Sequence, residues 1–223
     1  MNTKTLRQIE EMKKQTIGVE VEMNNITRNK AAKIAAEFFG TGRFENTADR
    51  NGYCTYSAWD EQGREWKFQK DVSIAGIDSE KCEMVTPILN YSDIETLQEL
   101  VRILRKAGAK SDSTRGCGVH IHIGAKGHTA KTLRNLANIM ASHEQLLIDA
   151  LNLDEVRIRR YCKTVDPRFL EQVNRTKPET MSQLADVWYK SHDENYGRSH
   201  HYNGSRYHML NLHATFTKGT VEF

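Results

Sequence analysis

The stretch Thr16-Ile-Gly-Val-Glu-Val-Glu-Met23 alternates apolar and acidic side chains, the period-two pattern of a half-buried strand. It places Glu20 and Glu22 on one face, about 6.5–7 Å apart at the usual rise per residue. A second strictly alternating stretch, Gly118-Val-His-Ile-His-Ile-Gly124, places His120 and His122 on one face, with Val119, Ile121 and Ile123 pointing the other way, where a core is expected. Each stretch is followed by a segment of helical period. Residues 29–39 carry Ala31, Ala32, Ile34, Ala35, Phe38 and Phe39 at helical spacing and stop at Gly40 and Gly42. Residues 129–151 put Leu133, Leu136, Met140, Leu147 and Leu151 on an inward stripe.

Between these strand and helix pairs the pattern changes to hairpins. Residues 53–59 and 65–70 flank Asp60-Glu-Gln-Gly63 and read as two antiparallel strands joined by a tight turn. Cys82-Glu-Met-Val-Thr-Pro87 is a short strand ended by its proline. Ser92-Asp-Ile-Glu95 reads as a capping box opening a helix with Ile94, Leu97, Leu100, Val101 and Leu104 on one stripe, stopped by Gly108. Beyond Asp154 apolar residues thin out: residues 181–189 predict a helix, 191–205 a mobile polar loop, and 207–214 and 220–223 strands. Hairpins mixed with helices predict an α+β domain, a largely antiparallel β-sheet with helices packed on one side.

The chain has 223 residues, enough for one large core, and no linker-like segment divides it. Lys and Arg total 32 against 29 Asp and Glu, a formal net charge of +3, which falls short of the basic excess of a phosphate-backbone binder, so no nucleic-acid partner is expected. No apolar run approaches the about eighteen residues that span a bilayer, and residues 1–14 carry charge throughout, so neither a membrane partner nor a signal peptide is expected. Cys54, Cys82, Cys117 and Cys162 are widely separated and predict four free thiols. The expected compartment is cytoplasmic.

Polar groups at period two on three strands are the informative feature. Glu20 and Glu22, His120 and His122, Glu222 in Thr220-Val-Glu222, and Glu83 on the short strand would form an acidic pocket with imidazoles if their strands are neighbours in one sheet. A site rich in carboxylates and poor in nitrogen favours Mg²⁺ or Mn²⁺ over Zn²⁺. Lys70, Asp71 and Ser73, after the hairpin strand, and Arg206, whose guanidinium suits bidentate contact with phosphate or carboxylate, are the remaining candidates. In a regular strand Arg206 and His208 would face opposite to Tyr207, Met209 and Asn211, so Arg206 and Asn211 share a site only if a bulge intervenes or Arg206 lies outside the strand. No phosphate-binding G-x-x-x-x-G-K-[ST], no G-x-S-x-G and no H-E-x-x-H occurs.

Taken in order, Gly18-x-Glu20-x-Glu22, Asp71-x-Ser73-Ile74, Glu83-Met-Val-Thr-Pro87, Gly116-Cys-Gly118-x-His120-Ile-His122, Arg206-Tyr-His-x-Leu-Asn211-Leu and Gly219-Thr-Val-Glu222-Phe resemble the amidoligase family, carboxylate-amine ligases related to glutamine synthetase and glutamate-cysteine ligase. The resemblance covers residues 17–223 and implies a glutamine-synthetase-like catalytic domain there, with residues 1–16 an N-terminal extension. It implies ATP-dependent amide bond formation through an acyl phosphate on a small-molecule, peptide or cell-wall-like substrate bearing a carboxylate and an amine, with ATP and Mg²⁺ or Mn²⁺ as cofactors. By the same resemblance Glu20, Glu22 and Glu83 hold the cation, and His120, His122 and Glu222 complete the metal and phosphate shell. Arg206 contacts phosphate, Asp71 and Ser73 shape the pocket near the acceptor, and Asn211 orients substrate. Such proteins usually continue the final strand with an arginine and further helices, whereas this chain stops at Phe223, so a C-terminally truncated domain is expected. Two other readings stay open: a metal-dependent hydrolase using the H-x-H pair, and a non-catalytic homologue.

Overall fold

A computed structural model describes residues 2–48, 50 and 52–223; Met1, where the charged N-terminal segment begins, lies outside them. In chain order the first elements are α1 (Thr3–Lys13), β1 (Ile17–Met23), α2 (Arg28–Phe38), β2 (Phe44–Asn46), β3 (Tyr56–Trp59), β4 (Glu65–Gln69), β5 (Cys82–Val85) and α3 (Ile94–Lys106). There follow β6 (Val119–Gly124), α4 (Ala130–Leu151), α5 (Glu155–Arg160), α6 (Pro167–Thr176), α7 (Met181–Ser191), α8 (His213–Thr217) and β7 (Thr220–Glu222). The class is α+β, as the mixed pattern predicts, and the strands follow the order β2-β3-β4-β5-β1-β6-β7. The chain divides into two units, Met1–Ile121 and His122–Phe223, with the division inside β6.

In the first unit β1 pairs antiparallel with β5, β5 with β4, β4 with β3 and β3 with β2. Val19, Val21 and Met23 of β1 are buried in one cluster with Ala31, Ala32, Ala35 and Ala36 of α2 and with Leu100 and Leu104 of α3. The alanine stripe lets α2 lie close to the sheet, and the β1 alternation that buries these apolar residues turns Glu20 and Glu22 to the opposite face. Sequence periodicity misplaces the start of α3. The capping box is formed by Asn90 and Asp93 rather than Ser92 and Glu95, because a 3₁₀ turn over Tyr91–Asp93 precedes the helix. The short strand β2 is an addition that its three residues gave no period to reveal.

The predicted turn between β3 and β4 is present, with Gly63 at φ 75° and its N–H donating to Asp60 O at 2.9 Å. Asp60, only 5% exposed, organises it. Its carboxylate accepts from the N–H groups of Gln62 and Arg64, from Arg64 Nε at 2.8 Å and from Trp66 Nε1 at 3.0 Å, while the same guanidinium donates to Asp93.

In the second unit Leu133 and Ala137 of α4, Phe169 and Val173 of α6, Leu184 and Trp188 of α7, and Val221 of β7 form the core. Helices α5 and α6 were not read from the sequence, although Asp166 caps α6 with Pro167 at its first turn. Two expected core leucines lie outside it: Leu147 is 40% and Leu151 66% exposed. The buried residues of α4 are Ala130, Leu133, Ala137 and Met140, all in its first half, so the end of this 22-residue helix outruns its cover. Residues 207–214 are not a strand; they make isolated bridges, Lys163 with His208 and Asn211 with Glu222, before α8 begins.

The segment expected to be a mobile loop is fastened. Trp188 Nε1 donates to Ser205 Oγ at 2.9 Å, Tyr189 Oη to Arg198 O at 3.2 Å, and buried Asn203 donates to the carbonyls of Glu194 and Gly197. At its two ends the rings of His192 and His208 meet with centroids 4.6 Å apart. Burial pushes His208 down to about 4, so that ring stays neutral near pH 7, and burial lowers His192 as well.

Asp60→Ala removes the acceptor of four donors and leaves Trp66 Nε1 and Arg64 without their buried partner. It should lower stability by about 3–5 kcal/mol in urea unfolding, whereas replacing the neighbouring exposed Glu61 by Ala should change it by less than about 0.5 kcal/mol.

Candidate functional site

In the first unit the register of β1 on β5 sets Glu22 directly opposite Glu83, and Glu20 opposite Val85. Both central carboxylates are buried, Glu22 at 5% and Glu83 at 6% exposure. Like charges facing each other on adjacent strands oppose pairing, so each is compensated. Glu22 Oε2 accepts from the Gly118 N–H at 2.6 Å, and Glu22 Oε1 lies 3.7 Å from His120 Nε2. Glu83 Oε2 accepts from Gln69 Nε2 at 2.8 Å. Asp71 joins them: oxygens of Glu22, Asp71 and Glu83 all lie within 4.8 Å of one another.

Asp71 is aimed by a local turn in which the Ser73 N–H donates to its Oδ1 at 2.6 Å. That turn is clasped from outside by Gly116. An added Cβ at Gly116, where φ is +80°, would lie 2.6 Å from Ser73 O, and Ala75 N donates to Arg115 O at 2.7 Å. Glycine at 116 is therefore required both by its left-handed backbone and by the close approach. Ser73 itself is exposed, and it serves the cluster through its backbone.

The surroundings act on Glu83. Glu83 is raised to about 7, by burial first and then by the charge of Glu20; Asp71 and Glu22 add to the rise and the Gln69 hydrogen bond opposes it. All-oxygen donors at this spacing suit a hard divalent cation such as Mg²⁺ or Mn²⁺ and fit Zn²⁺ poorly. Among the described residues this is the group of three able to hold a metal, and it contains no histidine.

In the second unit β6 pairs antiparallel with β7, with His122 opposite Glu222. His122 Nδ1 is 3.1 Å from Thr220 Oγ1 and 3.9 Å from Glu222 Oε2. Glu222 is buried, and its backbone pairs with that of Asn211, whose Oδ1 accepts from the Ala214 N–H. Arg206 ends a 3₁₀ turn over Gly204–Arg206, outside any strand, which resolves the face conflict with Asn211. Its guanidinium donates to His201 O at 3.2 Å and stands near the rings of Tyr202 and Tyr207.

Arg206, Asn211 and Glu222 line one small cavity together with His201, His213, Thr217 and Lys218; its volume, about 10 Å³, is room for about one water. His213 was missed in the sequence. It is 4% exposed and hydrogen-bonds Tyr189 Oη through Nδ1 at 2.7 Å, and burial lowers its pKa. A histidine inside the apolar run Met209-Leu-Asn-Leu-His213-Ala was the available signal.

One expectation about β6 is reversed. Val119 is 52% and Ile121 41% exposed, while His120 and His122 are the more covered side chains. Alternation identified the two faces correctly and assigned the covered one wrongly.

Residues 13–223 match the family described as "Putative amidoligase enzyme", and the chain belongs to that family. No curated protein and no solved structure gives a match. The four cysteines are free thiols, as expected, and none of the described helices is long and apolar enough to cross a membrane.

Two outcomes follow from the first-unit geometry. Because Glu83 is raised in the folded state, the metal-free protein holds an extra proton between about pH 4.5 and 7, and its stability should fall as pH rises through that window, by up to about 3 kcal/mol. Glu83→Gln should flatten that decline in thermal unfolding measured across pH. Gly116→Ala, which forces both a left-handed alanine and a shift of Ser73, should cost more than about 1 kcal/mol and weaken Mn²⁺ binding in calorimetry; unchanged binding would show that the 71–75 turn does not set Asp71.

Proposed function

We propose that the chain is an ATP-dependent carboxylate-amine ligase with a glutamine-synthetase-like catalytic fold. The observation that carries this is the buried group of Glu22, Asp71 and Glu83 in a chain whose family extends over residues 13–223. Phosphoryl transfer relies on positioning and on neutralising phosphate charge, and an all-carboxylate cation site is the part such chemistry needs most. The cation, when bound, neutralises phosphate oxygens of ATP.

The chain's own groups divide the remaining work. Glu20, Glu22, Glu83 and Asp71 in the first unit hold the cation, with His120 beside Glu22. In the second unit Arg206 supplies the planar cation for the transferring phosphoryl group. His122 and Ser73 belong to the nucleotide side of this assignment, and Asn211 orients the substrate. The substrate carboxylate attacks the γ-phosphorus and ADP leaves. The amine nitrogen then attacks the acyl carbon, inorganic phosphate leaves, and the ammonium proton passes to a carboxylate, for which Glu222 is assigned. The substrate is a small molecule or peptide with both functional groups, the compartment cytoplasmic, and neither nucleic acid nor membrane takes part. A zinc hydrolase built on His120 and His122 would need imidazole ligands gathered around one point, and the carboxylate group supports the ligase reading instead.

Calorimetric titration with a non-hydrolysable ATP analogue should show binding that requires Mg²⁺ and disappears in EDTA. Glu22→Gln should remove the Mg²⁺ dependence with the circular dichroism spectrum retained. Arg206→Gln should weaken analogue binding about tenfold to a hundredfold, the loss of one charged bidentate contact. Analogue binding that is indifferent to EDTA would sink the proposal.

A further inference from the structure

Asn24 follows the last residue of β1 and is 3% exposed. Its main chain is fully used: its N–H donates to Lys110 O at 2.8 Å, and its carbonyl accepts from Lys110 N at 3.0 Å. Its side chain is not, since neither Oδ1 nor Nδ2 has a hydrogen-bond partner among the described residues. A buried carboxamide with both ends unsatisfied opposes folding, and an apolar residue of the same shape would serve the sheet better. The β1 alternation assigns its direction. Val19, Val21 and Met23 enter the hydrophobic cluster, so positions 20, 22 and 24 share the other face, which carries Glu20 and Glu22.

We propose that Asn24 is a further positioning residue of the carboxylate face, whose amide orients the outer water shell of a divalent cation held at Glu22, Asp71 and Glu83. This rests on the cation reading given above. Alternate residues of a strand are about 6.5–7 Å apart, and the asparagine side chain is one methylene shorter than glutamate. On that spacing the shorter amide would be set back from the coordinating oxygens, where it can act through a water rather than as a ligand. Mg²⁺ and Mn²⁺ sites of this kind retain several waters, which need acceptors; Oδ1 accepts from such a water, and Nδ2 donates to an oxygen of the ligand that the cation carries. A carboxamide, unlike a third glutamate, does so without adding negative charge to a face that already carries Glu20 and Glu22 with Glu83 opposite.

The test is Asn24→Leu and Asn24→Asp, each EDTA-treated, melted without metal and titrated with Mn²⁺ in a calorimeter beside wild type and Glu22→Gln. Asn24→Leu should melt at or above the wild-type temperature and bind Mn²⁺ at least tenfold more weakly. Asn24→Asp, which keeps the acceptor, should stay within threefold of wild type. If Asn24→Leu binds Mn²⁺ as wild type does, whatever its melting temperature, Asn24 holds at most a structural water and the inference is overturned. Should Asn24→Leu not fold, Asn24→Ser takes its place: with too short a reach it should still lose tenfold, and wild-type affinity would overturn the inference. Wild-type protein that takes up no Mn²⁺, or the same amount as Glu22→Gln, overturns the cation reading itself and the inference with it, a result distinct from normal binding by the Asn24 variants.

Discussion

Two buried glutamates, Glu22 and Glu83, face each other across adjacent antiparallel strands, and the local architecture of the first unit is arranged around tolerating them. An isolated pair of this kind would push β1 and β5 apart. Each carboxylate instead receives one short hydrogen bond from a group fixed by the sheet, the Gly118 amide on one side and the Gln69 side chain on the other. These two bonds satisfy only part of the acceptor capacity of two carboxylates, and Asp71 is then brought in beside them by a turn wedged against Gly116. Adding a third acid where two already repel is adverse to the metal-free fold. On the cation reading proposed above, a bound cation would reverse that sign, turning mutual repulsion into shared coordination.

The second unit solves a different problem, how to hold a charged side chain in place without a regular strand. Arg206 sits on a 3₁₀ turn that the indole of Trp188 ties to α7 through Ser205, and the hydroxyl of Tyr189 ties the preceding segment to α7 through Arg198. Asn203 closes the segment on itself through the Glu194 and Gly197 carbonyls. Its polar, glycine-containing composition suggests mobility, yet its hydrogen bonds are largely internal or to buried aromatic residues. The same aromatic helix supplies Tyr189 to His213, so one helix positions groups on two sides of the small cavity beside Glu222.

What the sequence makes legible follows from which forces are local. Period two in β1 and β6 gave the faces of Glu20, Glu22, His120 and His122, because pleating is a property of each strand alone. The Asp60 to Gly63 turn was legible for the same reason. Register was not: that Glu22 meets Glu83 rather than Val85 depends on how β1 and β5 slide, which no single strand encodes. Nor does alternation say which face is covered, so Val119 and Ile121 were assigned to a core and lie exposed. Leu147 and Leu151 failed differently, since a helical stripe predicts an apolar face for as far as the pattern runs, while the buried positions of α4 stop at Met140. His213 was overlooked because it is one polar residue between Leu212 and Ala214, and Asn24 because it reads as half of a polar Asn24-Asn25 pair after the strand; in both cases the signal is visible only once burial is known.

The strand β1 shows how such a face is sustained. On one side Val19, Val21 and Met23 are each 8% exposed or less, and burying side chains of this size contributes about 1.5–3 kcal/mol apiece against an extended chain. On the other side Glu83 opposes ionisation by up to about 3 kcal/mol, and an unsatisfied amide such as that of Asn24 opposes folding by about 1–3 kcal/mol. The two sides are of similar size, with the apolar one somewhat larger, so burial of Val19, Val21 and Met23 in the cluster that also holds the α2 alanines offsets the acidic face in the absence of a ligand. Removing apolar surface under β1 would therefore be felt first as loss of that face, before the sheet itself gave way. On the cation reading proposed above, the polar face cannot be improved for folding without being spoiled for binding, because Glu83 and Asn24, which hinder the fold, are the groups that reading uses.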